Sequence, residues 1–261
     1  MTYVHRALVA SALLGSAAPF IGAFLVRRGM AFVGDALGHV AFLGVALGSL
    51  FGRRSSAVPV ALTTVAGALA IEWLRSRRSA RGDVAVAVVF YAAIATGVLI
   101  LSTSRQYNAS TLGILFGSLL TIDNWELARL AAALAIAVLA VGMCYRPLFL
   151  LSIDEELAAA SGVSSQRYGM LLAFATASVV YAGISAVGVL LVAALLVLPA
   201  VTAQSLLNGF AASLIGSCVL GGITATLATS AALRFDLPPG ASVVVLATLG
   251  YAAARLTAKL R

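Results

Sequence analysis

A stretch of 66 consecutive residues, Tyr168–Leu233, contains no Asp, Glu, Lys or Arg. Across all 261 residues, 62% are hydrophobic and only 10% are charged, whereas a soluble domain carries about 25% charged residues. A water-soluble fold with so few charges could not cover its own surface. The chain is therefore predicted to be an integral membrane protein whose main solvent is lipid.

A membrane-crossing helix needs about 20 apolar residues, so the uncharged stretch has room for three helices. Gly183–Gly188 and Asn208–Gly209 are the predicted breaks between them, since Gly and Asn interrupt helices. Six more apolar segments flank this stretch: Leu8–Val26, Met30–Leu50, Ala57–Leu74, Val84–Leu101, Glu126–Tyr145 and Gly240–Thr257. The predicted fold class is all-α and polytopic, with about nine (eight or nine) transmembrane helices in one domain over residues 1–261. Ser110–Thr121 is too short to cross and is predicted to be a re-entrant or interfacial helix.

The basic residues give an orientation. A net charge of +8 would suggest nucleic acid in a soluble protein, but here the Arg residues lie between apolar segments, so no nucleic-acid partner is expected. With the amino terminus outside, eleven Lys and Arg face the cytoplasm and six face out. Cytoplasmic loops carry the excess of Lys and Arg, so this orientation is favoured, although Arg53–Arg54 fall on the outer side.

The longest hydrophilic connection, Arg146–Arg167, lies on the inner side in this orientation. Ser152 and Glu155 are three residues apart, which fits a helix capping box. The Ala-rich sequence that follows favours a helix, and Gly162 can end it. We expect a short amphipathic helix near residues 152–163, parallel to the membrane; a solvated connector is the alternative.

Two ionisable residues, Asp35 and His39, fall inside a predicted span. Their spacing places them on one helix face, about 6 Å apart along the axis. Counted from Met30, His39 lies about 14 Å deep, close to the bilayer midplane. Carboxylate and imidazole ligands together suit zinc, manganese or iron(II). A proton path, or a structural hydrogen bond between the two, explains the spacing as well.

Small residues surround this pair at four-residue spacing. Gly34 and Gly38, followed by Gly44 and Gly48, predict close approach of neighbouring helices and leave bare backbone along a possible pathway. Pro199 removes one helix hydrogen bond and is expected to kink its span.

Two further observations concern charge and energy supply. Glu72 lies three residues before Arg75 at an inner helix end, which predicts an exposed ion pair. The sequence contains no GxxxxGK[ST] loop for binding nucleotide phosphates, so any ATP-driven step needs a separate protein.

Four segments resemble one family, the zinc/manganese/iron permeases of bacterial ABC importers. The segments are Arg27–His39, Leu115–Thr121, Asp154–Val163 and Gly188–Ala203. In that order they match the family motifs RRMAxxGDALSHA, LFGxILT, DEExAxxxGV and GxLLVxALLVLPAATA. One departure is Gly38, where the family usually has Ser, so any role of that hydroxyl does not transfer.

This resemblance implies a multi-pass permease of the bacterial cytoplasmic (inner) membrane that is not itself an enzyme. It implies a second permease copy, identical or different, two cytosolic ATPase subunits that hold ATP, and an extracytoplasmic metal-binding protein. No permanently bound cofactor is expected, only the transported metal, which Asp35 and His39 would contact. The residues expected to couple to the ATPase are Asp154, Glu155, Glu156, Leu157, Ala160 and Gly162.

Two other functions fit the sequence. A permease for a metal chelate such as haem or a siderophore would have a wide pathway and no direct ion ligands. A proton-coupled secondary carrier would use Asp35 and His39 as a relay and would work without an ATPase.

Overall fold

The computed structural model describes residues 3–50, 57–76, 82–103 and 122–259, and these residues form eleven α-helices. In chain order the helices are α1 (Tyr3–Arg27), α2 (Val33–Leu50), α3 (Ala57–Ser76), α4 (Gly82–Thr103), α5 (Asn124–Met143), α6 (Tyr145–Ile153), α7 (Glu155–Ala160), α8 (Ser165–Val187), α9 (Val189–Leu206), α10 (Phe210–Phe235) and α11 (Pro239–Lys259). Within the described part of the chain, nine of them are long and apolar enough to cross a membrane. The exceptions are the short helices α6 and α7.

The predicted transmembrane helices are confirmed. The uncharged stretch forms the three helices α8, α9 and α10, and they are separated at Gly188 and Gly209. Both glycines have positive φ angles, 92° and 88°, which glycine adopts without the steric cost that a Cβ atom brings. The predicted re-entrant helix at 110–121, with the Leu115–Thr121 motif, and Arg53–Arg54 lie outside the described residues.

Helix α1 forms the central column of the bundle and packs most extensively on α10 and also on α9. Leu14, Ile21 and Phe24 of α1 are fully buried. At the crossing of α1 and α10, a Cβ atom built on Gly15 would lie 2.5 Å from the carbonyl oxygen of Gly221. Paired glycines thus allow the two backbones to touch, as small residues do at membrane helix interfaces.

Large apolar side chains cover the outside of the bundle. Leu62, Leu99, Ile136 and Leu227 are each more than half exposed. A water-soluble protein rarely exposes so much apolar surface, but the same surface is favourable against lipid tails. The exposed surface therefore supports the membrane assignment independently of helix length.

Candidate metal pathway and coupling segment

Asp35 and His39 both lie on α2 and share one of its faces. Asp35 is in the first turn, where the partial positive charge of the helix amino terminus stabilises a carboxylate. The His39 ring packs edge-on against Phe90 of α4, with ring centroids 4.8 Å apart. Both residues are partly exposed, so neither is sealed in the core of the chain.

The depth of His39 was predicted by counting residues from Met30. Helix α2 begins at Val33, because the chain first turns through Gly29, which has a φ of 70°, and the Met30 amide donates back to the Leu25 carbonyl at 2.9 Å. His39 therefore lies about 9 Å along the axis from the first helical residue. The pair is closer to the amino end of α2, and so to the α1–α2 turn, than the sequence indicated.

The glycines of α2 lie at helix contacts. A Cβ atom on Gly34 would lie 3.2 Å from Cα of Ala193 in α9, and one on Gly38 would meet the Val189 side chain. A Cβ atom on Gly44 would lie 2.6 Å from Cα of Val60 in α3. Close helix packing, the first role predicted for these glycines, is what their surroundings support.

Gly48 and Pro199, the other two residues predicted to take part in helix packing or to line a pathway, are also buried. Gly48 lies at the far end of α2, and Pro199 lies inside α9. Leu196 of α9 packs where a side chain on Gly34 or Gly22 would go. Helix α9 is therefore held between α1 and α2 by contacts that need bare backbone on both.

Asp35 and His39 could supply two ligands to a metal ion. No group of three His, Cys, Asp or Glu side chains that could hold a metal occurs in the described part of the chain. Zinc usually takes four ligands and manganese an octahedral set. Any ion held at this pair would therefore need further ligands from beyond these two side chains.

The segment between α5 and α8 forms two short helices, α6 and α7. The amino-terminal cap of α7 is Asp154, whose Oδ1 accepts from the amides of Glu156 at 2.8 Å and Leu157 at 3.1 Å. The prediction of Ser152 as the cap was wrong, because that hydroxyl donates instead to the Phe149 carbonyl within α6. A carboxylate at this position satisfies free amides and favours the positive helix end.

Gly162 ends α7, as predicted. Its φ is 78°, its amide donates to the Ala159 carbonyl at 3.0 Å, and the Val163 amide donates to the Ala158 carbonyl at 2.9 Å. This pair of bonds is the Schellman motif. Ala158 is buried while Leu157 is half exposed, so the helix rests on the bundle and presents an outer face.

Glu72 pairs with Arg75 as predicted, but the prediction that this pair is exposed was wrong, because Glu72 is fully buried. Arg75 donates through Nη2 to Oε1 of Glu72 at 2.7 Å and through Nε to Oε2 at 3.1 Å. Arg28 donates through Nη2 to Oε1 at 3.1 Å. Glu155 of α7 lies 3.5 Å from Nη2 of Arg28 and contacts Nη1 of Arg75 directly. We call Arg28, Glu72, Arg75 and Glu155 the charge cluster.

Room for the charge cluster comes from Gly169 of α8, where a Cβ atom would collide with the Glu72 carboxylate. Burial lowers the pKa of the Arg28 guanidinium, and the carboxylate of Glu72 opposes that shift. Sequence reasoning missed the roles of Arg28 and Gly169. The available signal was Glu72 itself, an acid inside the predicted apolar span Ala57–Leu74, since such groups are rarely left unpaired.

These features define a polytopic membrane transport component with an internal ionisable pair and a structured connecting segment. The family model of the ABC 3 transport family matches residues 1–258, and the chain belongs to that family. The resemblance predicted from the four motifs is thereby confirmed. The chain is a multi-pass permease-type protein of the bacterial cytoplasmic membrane.

Three known proteins show the extent of the similarity. The manganese transport system membrane protein MntC of Halalkalibacterium halodurans is 31% identical over 253 residues, covering 97% of this chain and 86% of that protein. A probable iron transport system membrane protein of Haemophilus influenzae is 28% identical over 258 residues, covering 97% and 89%. The solved structure of PsaBC from Streptococcus pneumoniae in complex with Fab superposes with a TM-score of 0.81 at 24% identity, covering 97% of this chain and 91% of that one. This structural match shows that the two chains share a fold.

Proposed function

We propose that this chain is the permease subunit of an ABC importer that moves a divalent metal ion into the cytoplasm. Manganese is the first candidate, because the 31% identical relative is named for manganese transport, and iron and zinc follow. Transport proceeds by alternating access, in which the site at α2 opens to one side of the membrane at a time. The chain acts as a single permease domain and hydrolyses no ATP itself.

The observation that carries this proposal is the position of Asp35 and His39. They are an acid and an imidazole on one face of a membrane helix, both partly exposed. Ionisable groups in a membrane span are costly and usually serve transport. A hard carboxylate oxygen with one imidazole suits manganese, iron(II) and zinc better than a soft ion such as copper(I).

The proposed partners follow from the lack of a nucleotide-binding loop in the sequence and from the exposed surface of α7. Two cytosolic ATPase subunits supply ATP hydrolysis, and α7 is the contact point, with exposed Glu156 and Leu157 and the Gly162 turn. An extracytoplasmic metal-binding protein delivers the ion. A second permease copy, identical or different, pairs with this chain and offers further ligands to the ion.

The test is the content of manganese, iron and zinc in cells, measured by elemental mass spectrometry. The strains are a deletion, its complement, and the complement carrying Asp35→Ala with His39→Ala. A matched control carries Asp83→Ala with His5→Ala, which removes an acid from the first turn of α4 and the other histidine of the chain. One metal should fall in the deletion strain, and only the Asp35/His39 variant should fail to restore it at equal expression.

Other outcomes separate the alternatives. Full restoration by the Asp35→Ala/His39→Ala variant would make the pair structural and favour import of a chelate. Metal uptake by the purified chain alone in liposomes under a proton gradient, without any ATPase, would instead identify a secondary carrier.

A further inference from the structure

The charge cluster joins parts of the chain that are far apart in sequence. Arg28 lies in the turn before α2, Glu72 and Arg75 lie in the last two turns of α3, and Glu155 is the first residue of α7. The side chains of Arg28, Glu72 and Arg75 are 2%, 1% and 9% exposed, whereas that of Glu155 is 45% exposed. Three members are therefore fixed in the bundle, and the fourth comes from the connecting segment.

The charges balance only when Glu155 is in place. Two guanidinium groups face two carboxylates, so removal of Glu155 leaves two cations against the single carboxylate of Glu72. An unpaired charge in a buried position is strongly unfavourable. The bundle therefore favours positions of α7 in which Glu155 contacts the two arginines.

The cavity beside Arg28 is too small to hold a replacement for the Glu155 carboxylate. Among the described residues, Arg28 Nε and Nη1 are already buried without a hydrogen-bond partner. The adjoining cavity, lined by residues that include Met30, Ala68, Leu172 and Thr176, measures about 10 Å³, which is space for one water molecule. A single water can bond a guanidinium nitrogen, but it cannot supply the missing negative charge.

The cluster also lies next to the helix that carries the proposed metal ligands. Arg28 is seven residues before Asp35, and only the short turn around Gly29 and Met30 separates it from α2. That turn is held by the Met30 amide bonded to the Leu25 carbonyl. A displacement of Arg28 is therefore transmitted to the amino end of α2 through a few residues of constrained backbone.

We infer that Arg28, Glu72 and Arg75 are positioning residues that bind Glu155 and fasten the coupling segment to the amino end of α2. This inference rests on the proposed function, because it assigns α7 to the ATPase contact. It adds a specific route: movement of α7 pulls on the buried arginines through Glu155, and the arginines move the turn that begins α2.

The first experiment measures hydrogen exchange of the amides of residues 156–163 in the purified permease without ATPase or metal. Glu155→Gln keeps the shape and removes the charge, and we expect these amides to exchange about five to ten times faster than in the parent. Glu155→Asp retains the charge and should restore most of the protection. The matched control is Asp83→Asn, which is also an acid-to-amide change but at an exposed residue. Asp83 follows Gly82, which lies near the Arg28 carbonyl.

The second experiment measures metal transported per ATP hydrolysed by the complete transporter in proteoliposomes. Glu155→Gln should lower this ratio, Glu155→Asp should recover it, and Asp83→Asn should match the parent. A role limited to folding would reduce both activities together and leave the ratio unchanged. Arg75→Lys is a second variant, because it keeps the positive charge but loses the paired contacts of the guanidinium.

The outcomes are distinguishable. Unchanged amide exchange in Glu155→Gln, or faster exchange with an unchanged transport ratio, would overturn the inference. If the parent protein moves no metal with its ATPase while exchange still rises in Glu155→Gln, the proposed function fails and the contact between Glu155 and the arginines stands.

Discussion

Nη2 of Arg28 and Oε1 of Glu72 lie 3.1 Å apart, with side chains 2% and 1% exposed. The two residues are 44 positions apart in sequence, and their contact ties the turn between α1 and α2 to the end of α3. Because Arg75 donates to the same carboxylate, Glu72 is the common acceptor for two buried cations. Glu72 therefore links the turn between α1 and α2 to the end of α3 through two ion pairs.

Replacing Glu72 with Gln should strongly destabilise the protein. The change leaves Arg28 and Arg75 buried with only Glu155 as a counter-charge, and breaking a buried ion pair from one side costs about 3–5 kcal/mol. The measurement is thermal unfolding of the purified protein in detergent. Glu126→Gln is the control, since Glu126 lies in an exposed capping box at the start of α5, where Gln serves equally well. Equal unfolding temperatures for the two variants would contradict the prediction.

Replacing Gly169 with Ala should disturb the charge cluster without changing any charge. The added methyl group would collide with the Glu72 carboxylate and would lie 3.1 Å from Nη2 of Arg28, and overpacking of this kind costs about 1–3 kcal/mol. The same change at Gly250 of α11 meets nothing within 4 Å and should stabilise that helix by up to about 1 kcal/mol. Thermal unfolding should therefore move in opposite directions for the two variants, and a stabilised Gly169→Ala would contradict the packing described.

Introducing the family's usual serine at Gly38 should be harmful in this chain. A Cβ atom there would lie 3.1 Å from Cγ2 of Val189 and closer still to its other methyl group, so α9 would have to move away from α2. We expect Gly38→Ser to destabilise the protein by about 1–3 kcal/mol and to lower metal uptake. Adding Val189→Ala should recover both, with Val189→Ala alone as the control. A fully active Gly38→Ser would show that α2 and α9 separate easily.

Replacing Gly162 with Pro should uncouple ATP hydrolysis from transport. Proline cannot adopt the φ of 78° found here and lacks the amide that bonds to Ala159, so we expect a local cost above about 1 kcal/mol. A Cβ atom at Gly162 meets nothing within 4 Å. The cost of a substitution there therefore comes from the backbone conformation and not from contact with neighbouring atoms. Gly162→Asn, which tolerates positive φ, should stay close to the parent. Normal metal transport per ATP in Gly162→Pro would rule out α7 as the coupling segment.

Helix identity was predictable because it depends on local properties. Composition and the length of each apolar segment predicted the nine membrane-crossing helices of the described residues. Gly188 and Gly209 mark the two breaks that separate α8, α9 and α10. The end of α7 at Gly162 was equally local, since a residue with positive φ favours glycine whatever surrounds it. The start of α7 was missed because Ser152 and Asp154 are both good caps, and the hydrogen bonds of α6 decided between them.

The site was predictable in part. The spacing of Asp35 and His39 fixed their shared face of α2, because four residues make about one helical turn. The predicted start of α2 was three residues too early, since the turn through Gly29 and Met30 delays it until Val33. Whether the pair binds metal remains a prediction that the uptake experiment tests.

The sequence by itself determined that this protein lies in the membrane, because that depends on hydrophobicity. It also determined which described segments form membrane-crossing helices and which of these helices carries an acid and an imidazole on one face, because these depend on segment length and helical periodicity. Only the tertiary structure decided that Glu72 is buried and that it also pairs with Arg28. Its counter-charges are Arg75 on the same helix and Arg28 in the turn between α1 and α2. Glu155 of α7 shares both arginines, and the space for the Glu72 carboxylate comes from Gly169 of α8. A buried charge is stabilised by whatever packing brings beside it, and the separation of those residues along the chain carries no record of that contact.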